Sequence, residues 1–124
     1  MSEWTEAELT KFDNATELRL ASTSRDGTLR PYTTMWVVRA GDDLYVRSAY
    51  GANNGWYVRA RASGRGRIRA GGVERDVTFA EASDDIHADI DSAYWSKYER
   101  YGPKIVETVT GPAAKAVTIR LVPR

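Results

Sequence analysis

The residues of this sequence that are best suited to binding chemistry lie in a short polar corner within residues 45–60. The corner separates a strand-like run from a helix-like run and contains Gly51, Asn53, Asn54 and Gly55. Successive backbone N–H groups in a tight turn of glycine and asparagine can point toward one concavity. A helix that begins directly afterwards adds its positive end to the same field. The sequence therefore predicts a cup that stabilises a phosphate or a carboxylate.

Charged and aromatic side chains flank this corner. Arg47 and Arg59 stand on either side of it in the sequence and could donate charge-assisted hydrogen bonds to an anion. Trp56 and Tyr57 follow it and could form one wall of a site for an aromatic ligand. An ordinary strand-to-helix loop with Trp56 in the hydrophobic core explains the same residues, so both interpretations stay open.

Few of the side chains that usually drive catalysis are present. The chain has no cysteine and one histidine, which excludes thiolate catalysis and nearly excludes the usual zinc sites. His87 lies in an acidic helical turn without a nucleophile context, so we expect it at the surface. The acidic residues around it lack the glycine-containing loop of a calcium site, and we predict solvated helix charges and no metal: Asp84, Asp85, Asp89 and Asp91.

Charge is distributed unevenly along the chain. The formal net charge is +1, yet residues 19–75 contain 11 arginines and four acidic residues. Such a segment could attract anions, although the chain prefers arginine to lysine throughout, 14 to 4. Aromatic residues interleaved with arginines could also suggest single-stranded nucleic acid. Because the overall charge is small, we regard a nucleic-acid partner as the weaker interpretation.

Short strands and a few helices must position these residues. The start has no basic segment followed by an apolar core, and no later stretch approaches the ~20 apolar residues of a membrane helix, so we expect a cytoplasmic protein without a membrane partner. With 124 residues, of which 42% are hydrophobic, we predict one domain over residues 1–124. Helices are predicted over residues 2–15, 55–63 and 83–103. Strands are predicted over residues 17–23, 30–40, 44–48, 66–70, 73–82 and within 113–124. About six strands in hairpin order predict a mainly β, α+β fold: a small barrel with helices around it.

The second predicted strand has apolar residues on both faces. Tyr32, Trp36 and Val38 share one face, while Met35 and Val37 share the other. The interior of a barrel can cover only one of these faces, and large exposed apolar patches are uncommon on monomers. We therefore expect a second copy of the chain to cover the other face in a homodimer.

The order of motifs resembles that of a known superfamily. The run TTMWVVRAGDDLYVRSAYGANNGWYVRARASGRGRIRAGG is similar to a segment of the flavin and deazaflavin oxidoreductases. In that segment a Thr-Thr-Pro-Leu-Trp-type strand, a Gly-Asp turn, a Leu-Tyr-Val strand, a Gly-rich loop and a Trp-Tyr helix follow one another. With AYWSKYERYG and the ending TIRLVPR, the whole chain resembles an uncharacterised bacterial family near those split-barrel proteins.

This resemblance implies a split β-barrel, usually a homodimer, that holds FMN or the deazaflavin F420 in a groove. It implies contact with the ring system by Thr33, Thr34, Met35 and Trp36. It implies contact with the ribityl chain and the phosphate by Ser48, Tyr50, Gly51, Asn53, Asn54 and Trp56. The chain departs from the superfamily pattern at Met35, which stands where a proline follows the paired threonines.

The function expected from these observations is an oxidoreductase-like protein that transfers hydride to an unidentified small acceptor. Tyr50 or Tyr57 could supply a proton, but neither is distinguished as catalytic. The alternative is a non-catalytic dimeric protein that binds a small ligand or serves as a scaffold, and that kept the barrel without the cofactor.

Overall fold

One antiparallel sheet of seven strands forms the centre of the structure in the part of the chain that is described. This structure is a computed structural model, and it describes residues 3–49 and 51–124. The order across the sheet is β2-β1-β5-β6-β7-β4-β3, and every neighbouring pair is antiparallel. The strands are β1 (Leu18–Ser22), β2 (Thr33–Met35), β3 (Val38–Ala40), β4 (Asp43–Arg47), β5 (Arg65–Ala70), β6 (Val73–Ala80) and β7 (Thr118–Pro123).

Within residues 3–49 and 51–124, three main helices and two short ones accompany the sheet. They are α1 (Glu6–Asn14), α2 (Gly55–Ser63), α3 (His87–Tyr98), α4 (Pro103–Val106) and α5 (Pro112–Lys115). Single 3-10 turns follow α3 at Glu99–Tyr101 and α4 at Glu107–Val109. The fold class predicted from the sequence is confirmed, because a curled half-barrel sheet is combined with an N-terminal helix, a short helix after the corner and a longer one before the last strand.

Local sequence signals explain the first helix. The hydroxyl oxygen of Thr5 accepts a hydrogen bond from the Glu8 N–H at 3.1 Å, and the Glu8 carboxylate accepts one from the Thr5 N–H at 3.0 Å. This reciprocal capping box satisfies N–H groups that a helix start would otherwise leave unpaired. Leu9 and Phe12 are buried on one side of the helix and belong to the barrel core.

The single strand predicted over residues 30–40 is divided into β2 and β3, which is why there are seven strands. The Val37 N–H donates to the Tyr98 hydroxyl oxygen at 3.2 Å, and the Lys97 ammonium donates to the Val37 carbonyl oxygen at 2.8 Å. The backbone of Val37 is therefore bonded to α3 and not to a neighbouring strand. Since β2 and β3 lie at opposite edges of the sheet, the two edges are joined through Trp36 and Val37, and the sheet must curl to bring them together.

Two clusters of buried residues lie on either side of this connection. Val37 belongs to the cluster inside the barrel, whereas Val38 belongs to a second cluster built with α3, and Trp36 packs against that second cluster. The apolar face for which the sequence suggested a partner subunit is thus covered by a helix of the same chain. The strand pattern no longer requires a dimer, and the homodimer stays a prediction.

No helix in the described ranges is both long enough and apolar enough to cross a bilayer.

The Tyr98 hydroxyl gives a direct test of how α3 holds the break between β2 and β3. Its oxygen accepts from the Val37 N–H, and the hydroxyl donates to the Thr16 carbonyl oxygen at 2.7 Å. Tyr98→Phe leaves the buried Val37 N–H without this partner, so the free energy of unfolding should fall by about 1–3 kcal/mol. Urea unfolding followed by circular dichroism measures this change.

Tyr101→Phe is the matched control. This tyrosine is 41% exposed, and among the described residues its hydroxyl oxygen accepts only from Arg100, at 3.1 Å, so the variant should stay within about 0.5 kcal/mol of the parent protein. Equal losses in the two variants would contradict a specific role for the Tyr98 hydroxyl.

Candidate functional site

A cleft of about 480 Å³ lies where β2, the end of β4, the start of α2 and α4 meet. This volume falls in the range of roughly 300–1,000 Å³ that is typical of small-molecule sites. The strand side contributes Thr33, Thr34, Met35, Trp36, Arg47 and Ala49. The helical side contributes Asn54, Trp56, Lys104, Ile105, Thr108 and Val109.

Most of the residues predicted for a cofactor site therefore come together on this cleft. The exceptions among the described residues are Ser48, Gly51, Asn53 and Arg59, which belong to the adjacent corner or to α2 and do not line the cleft. Tyr50 lies outside the described residues. The binding roles of all these residues stay predictions, because proximity to one cleft does not identify a ligand.

Five lining residues were missed by sequence reasoning: Ala49 just after β4, and four that belong to α4 and the turn after it. Lys104, Ile105, Thr108 and Val109 lie in a segment that we call the strap, residues 102–111. A glycine with positive φ stands at each end, Gly102 at 97° and Gly111 at 88°, and each precedes the proline that begins a short helix. The two Gly-Pro pairs could have signalled short helices. They could not have signalled that the strap would form a wall of the cleft.

The corner is fixed by its own hydrogen bonds and ends at the start of α2. The Ser48 hydroxyl donates to the Gly51 carbonyl oxygen at 2.7 Å, and Gly51 has a φ of 84° that favours glycine. Asn54 caps the helix, and its side-chain oxygen accepts from the Trp56 N–H at 3.4 Å. The first turn of α2 contains no acidic residue, so no side chain of that turn offsets the positive end of its dipole.

Arg59 adds a cation beside this helix start. Its Nη1 atom lies only 2.8 Å from the place that a Cβ atom on Gly55 would occupy, so the guanidinium folds back over the first residue of α2. A cation at the positive end of a helix dipole is electrostatically unfavourable. The two features together make the outer side of the corner a region of positive potential that suits an anion.

Arg47 is the centre of a buried network and does not resemble a free phosphate ligand. It is 3% exposed and forms an ion pair with Asp91. Its other donors reach the Val109 carbonyl oxygen at 2.9 Å, the Thr118 hydroxyl at 2.9 Å and the His87 Nδ1 atom at 3.1 Å. The charge that the sequence suggested for an anionic ligand is compensated by a carboxylate of α3.

The position of His87 corrects the expectation that it is a surface residue. It is 9% exposed, and its Nδ1 must accept from Arg47 because a guanidinium can only donate. The ring is therefore neutral, with its proton on Nε2. Burial, followed by the nearby Arg47 and Lys115 charges, lowers the pKa of His87 below its ordinary value of 6.5, while Asp84 and Asp91 act in the opposite direction.

Asp91 was expected on a solvated helix face and instead closes this network. Its carboxylate binds Arg47 and accepts from the Gly111 N–H at 3.3 Å. In the described ranges, no three histidine or acidic side chains are grouped as metal ligands could be.

Two tryptophans form aromatic walls of the cleft. The Trp36 ring stacks on Tyr98 with centroids 3.9 Å apart and an angle of 4° between planes, so its orientation is fixed by α3. Trp56 is only 7% exposed and belongs to the barrel core, yet it also lines the cleft. The two interpretations of Trp56 that the sequence left open are thus compatible. Tyr57 does not line the cleft, and its hydroxyl donates to the Ala116 carbonyl oxygen at 3.1 Å.

Comparison with protein families places the chain in a known group. The model of a family described as uncharacterized protein conserved in bacteria, DUF2255, matches residues 8–121. The chain belongs to this bacterial family. No curated protein sequence is significantly similar to this DUF2255 protein.

Several solved structures share the fold of this DUF2255 protein. The conserved hypothetical protein Rv2991 from Mycobacterium tuberculosis has 19% identity and a TM-score of 0.64, covering 99% of this chain and 82% of that one. An F420-H2 dependent reductase has 16% identity and a TM-score of 0.62, covering 86% and 93%. A FAD-binding protein from Mesorhizobium loti has 21% identity and a TM-score of 0.56, covering 98% and 91%. Likeness at this level establishes a common fold.

The buried histidine of this DUF2255 protein makes stability depend on pH. A folded-state pKa that lies below the unfolded value means that the unfolded chain binds more protons, so the contribution of His87 is complete above pH 6.5 and is lost as the pH falls through the folded pKa. We expect the melting temperature to decline when the pH is lowered from 7.5 to 5.5. Calorimetry at matched ionic strength measures this decline.

His87→Gln is the control, because the amide oxygen can still accept from Arg47 but does not titrate. Its melting temperature should change less over the same interval. Carboxylates with lowered pKa values, such as Glu8, titrate from ordinary values near 4.5 and act at lower pH. Identical pH profiles for the parent and His87→Gln would contradict the assignment.

Proposed function

We propose that this protein binds FMN or the deazaflavin F420 in the cleft and transfers hydride from the reduced cofactor to a small acceptor. The observation that carries the proposal is the meeting of residues 33–36 with the corner before α2 at one cleft of a split barrel. The F420-H2 dependent reductase and the FAD-binding protein, which share the fold, support a cofactor of this type.

The residues that are present suit such a cofactor. A planar ring system fits a cleft with apolar walls, which Met35, Trp36 and Trp56 provide. No carboxylate lines the described part of the cleft, so an anionic ligand meets no like charge there. The corner offers the uncompensated start of α2 and the Arg59 guanidinium, both of which favour a phosphate group.

Under this proposal the chain binds and orients the cofactor, which supplies the hydride that reduces the acceptor. Thr33 and Thr34 donate hydrogen bonds to polar atoms of the ring, while Met35 and Trp36 pack against it and exclude water. Asn53, Asn54 and Arg59 bind the phosphate. Ser48 and Gly51 hold the backbone of the corner, and Arg47 holds the strap against the cleft. We assign the proton donor to no residue.

The first test of the proposal is cofactor binding itself. Titration of the purified protein with FMN or F420, followed by tryptophan and cofactor fluorescence, should give a dissociation constant well below a millimolar. Absence of binding to either cofactor at about millimolar concentration, near −4 kcal/mol, would overturn the proposal. It would favour the alternative of a non-catalytic small-ligand-binding or scaffold protein.

The corner makes a sharper prediction about the phosphate. Removing a charge-assisted hydrogen bond costs about 1.5–3 kcal/mol, or roughly 10- to 100-fold in affinity, so Arg59→Ala should weaken FMN binding by this factor and leave riboflavin binding unchanged. Gly55→Ala should act in the same direction, because the new methyl group displaces the Arg59 guanidinium. Alanine is also the better helix former, so this variant should not lose stability.

Arg61→Ala is the matched control within α2. Arg61 lies at the other end of the helix, where it donates to the Tyr57 hydroxyl at 3.0 Å and pairs with Glu81. The Arg61→Ala variant should retain the preference of the parent protein for FMN over riboflavin. A corner that serves only as a bend would show the same preference in all four proteins.

A cytoplasmic homodimer is also part of the proposal. Large apolar side chains stay exposed away from the cleft, among them Val58 at 48% and Leu29 at 37%, and a second copy could cover them. Sedimentation equilibrium at tens of micromolar protein should give twice the chain mass of 13.9 kDa. A single species at the chain mass would remove the homodimer from the proposal and leave the cofactor assignment to the titrations.

A further inference from the structure

Lys104 differs from Arg47, the other charged residue that lines the described part of the cleft, in having no ion-pair partner there. The residues that line the described part of the cleft include two cations, Arg47 and Lys104, and no carboxylate. Arg47 is paired with Asp91, whereas none of the ion pairs formed within residues 3–49 and 51–124 includes Lys104. Lys104 therefore supplies the uncompensated formal charge of this lining.

An exposed apolar side chain lies next to this cation. Ile105 follows Lys104 in α4, lines the same cleft and is 49% exposed, which is unusual for a large aliphatic residue. A cation beside exposed apolar surface complements a ligand that carries an anionic group on an apolar body.

The strap holds these two residues in a defined place. Val106, directly after Ile105, is fully buried in the cluster with α3. The Arg47 guanidinium donates to the Val109 carbonyl oxygen, and the Gly111 N–H donates to Asp91. Because both the middle and the end of the strap are anchored, Lys104 is presented to the cleft by a fixed backbone.

We propose that Lys104 and Ile105 bind a small aromatic carboxylate with a conjugated carbon–carbon double bond, and that this double bond is the acceptor of the cleft: one carbon receives the hydride of the reduced cofactor, the other a proton from solvent. The word acceptor rests on the proposed function, whereas the binding preference rests only on the residues of the strap. The Lys104 ammonium binds the carboxylate, and the aromatic ring packs against Ile105. A single uncompensated ammonium matches a monoanion, and the phosphate of the cofactor is held by the corner on α2, a different element.

Two isosteric probes test the charge preference. In calorimetric titrations the parent protein should bind 2-naphthoate at least roughly tenfold more tightly than neutral 2-naphthamide. Lys104→Gln should bind the two equally, with the 2-naphthamide affinity unchanged. Lys115→Gln removes a lysine that lines a separate pit near His87, and it should keep the parent preference. Ile105→Ser should weaken both probes by a similar factor and keep the preference.

The outcomes separate this inference from the proposed function. Any of three results overturns the inference. The parent protein binds 2-naphthoate and 2-naphthamide with equal affinity, it does not bind 2-naphthoate at millimolar concentration, or Lys104→Gln keeps the preference for 2-naphthoate. The second measurement is a titration of Lys104→Gln with FMN. Unchanged FMN affinity supports a separate acceptor site. A loss of FMN affinity places Lys104 on the cofactor and overturns the acceptor assignment. If no cofactor binds the parent protein but the naphthoate preference depends on Lys104, the binding preference stands and the proposed function fails.

Discussion

The short passage from β2 to β3 is the constraint on which the rest of the structure depends. These strands lie at opposite edges of the sheet, yet only Trp36 and Val37 separate them. The sheet must therefore curl until its edges meet, and the backbone of Val37 loses its strand partners at the junction. Buried backbone groups without partners are costly, and α3 satisfies them through the Tyr98 hydroxyl and the Lys97 ammonium. Burial of that ammonium lowers the pKa of Lys97 to about 8. The short connection between β2 and β3 thus explains three features: the closure of the barrel, the docking of α3 and the orientation of Trp36 at the cleft.

The Arg47 network extends this arrangement to the other side of the cleft. Burying a charge is unfavourable unless it is paired and its remaining donors are satisfied. Arg47 meets both conditions with groups from α3, β7 and the strap. The strap has only short helices and little regular hydrogen bonding of its own, so these contacts and the buried Val106 define where it lies. Arg47, which the sequence suggested as a ligand for an anion, is therefore a structural residue that holds the strap, and the strap contains Lys104.

The sequence predicted what local patterns determine and failed where distant residues decide. Alternating apolar residues, the Asp-Gly and Gly-Gly turns and the caps of α1 and α2 act over a few positions, and the corresponding elements are present. The break at Val37 depends on Tyr98, 61 positions away, and the burial of His87 depends on Arg47, 40 positions away. Neither partner is visible in a local window. The short helices of the strap were not predicted, because a four-residue helix shows too little periodicity in the sequence to be recognised.

The division of charge in the cleft follows from these packing constraints. Because Asp91 compensates Arg47, the wall at the end of β4 contributes little net potential to the space that it lines. Two uncompensated cationic features lie on different elements, the helix start with Arg59 on α2 and Lys104 on the strap. A ligand with a single anionic group would use one of them, whereas a bound cofactor together with a second anion would use both. Under the proposed function the first feature holds the phosphate of the cofactor and the second an anionic acceptor, so one cleft can bring the two partners of a hydride transfer together.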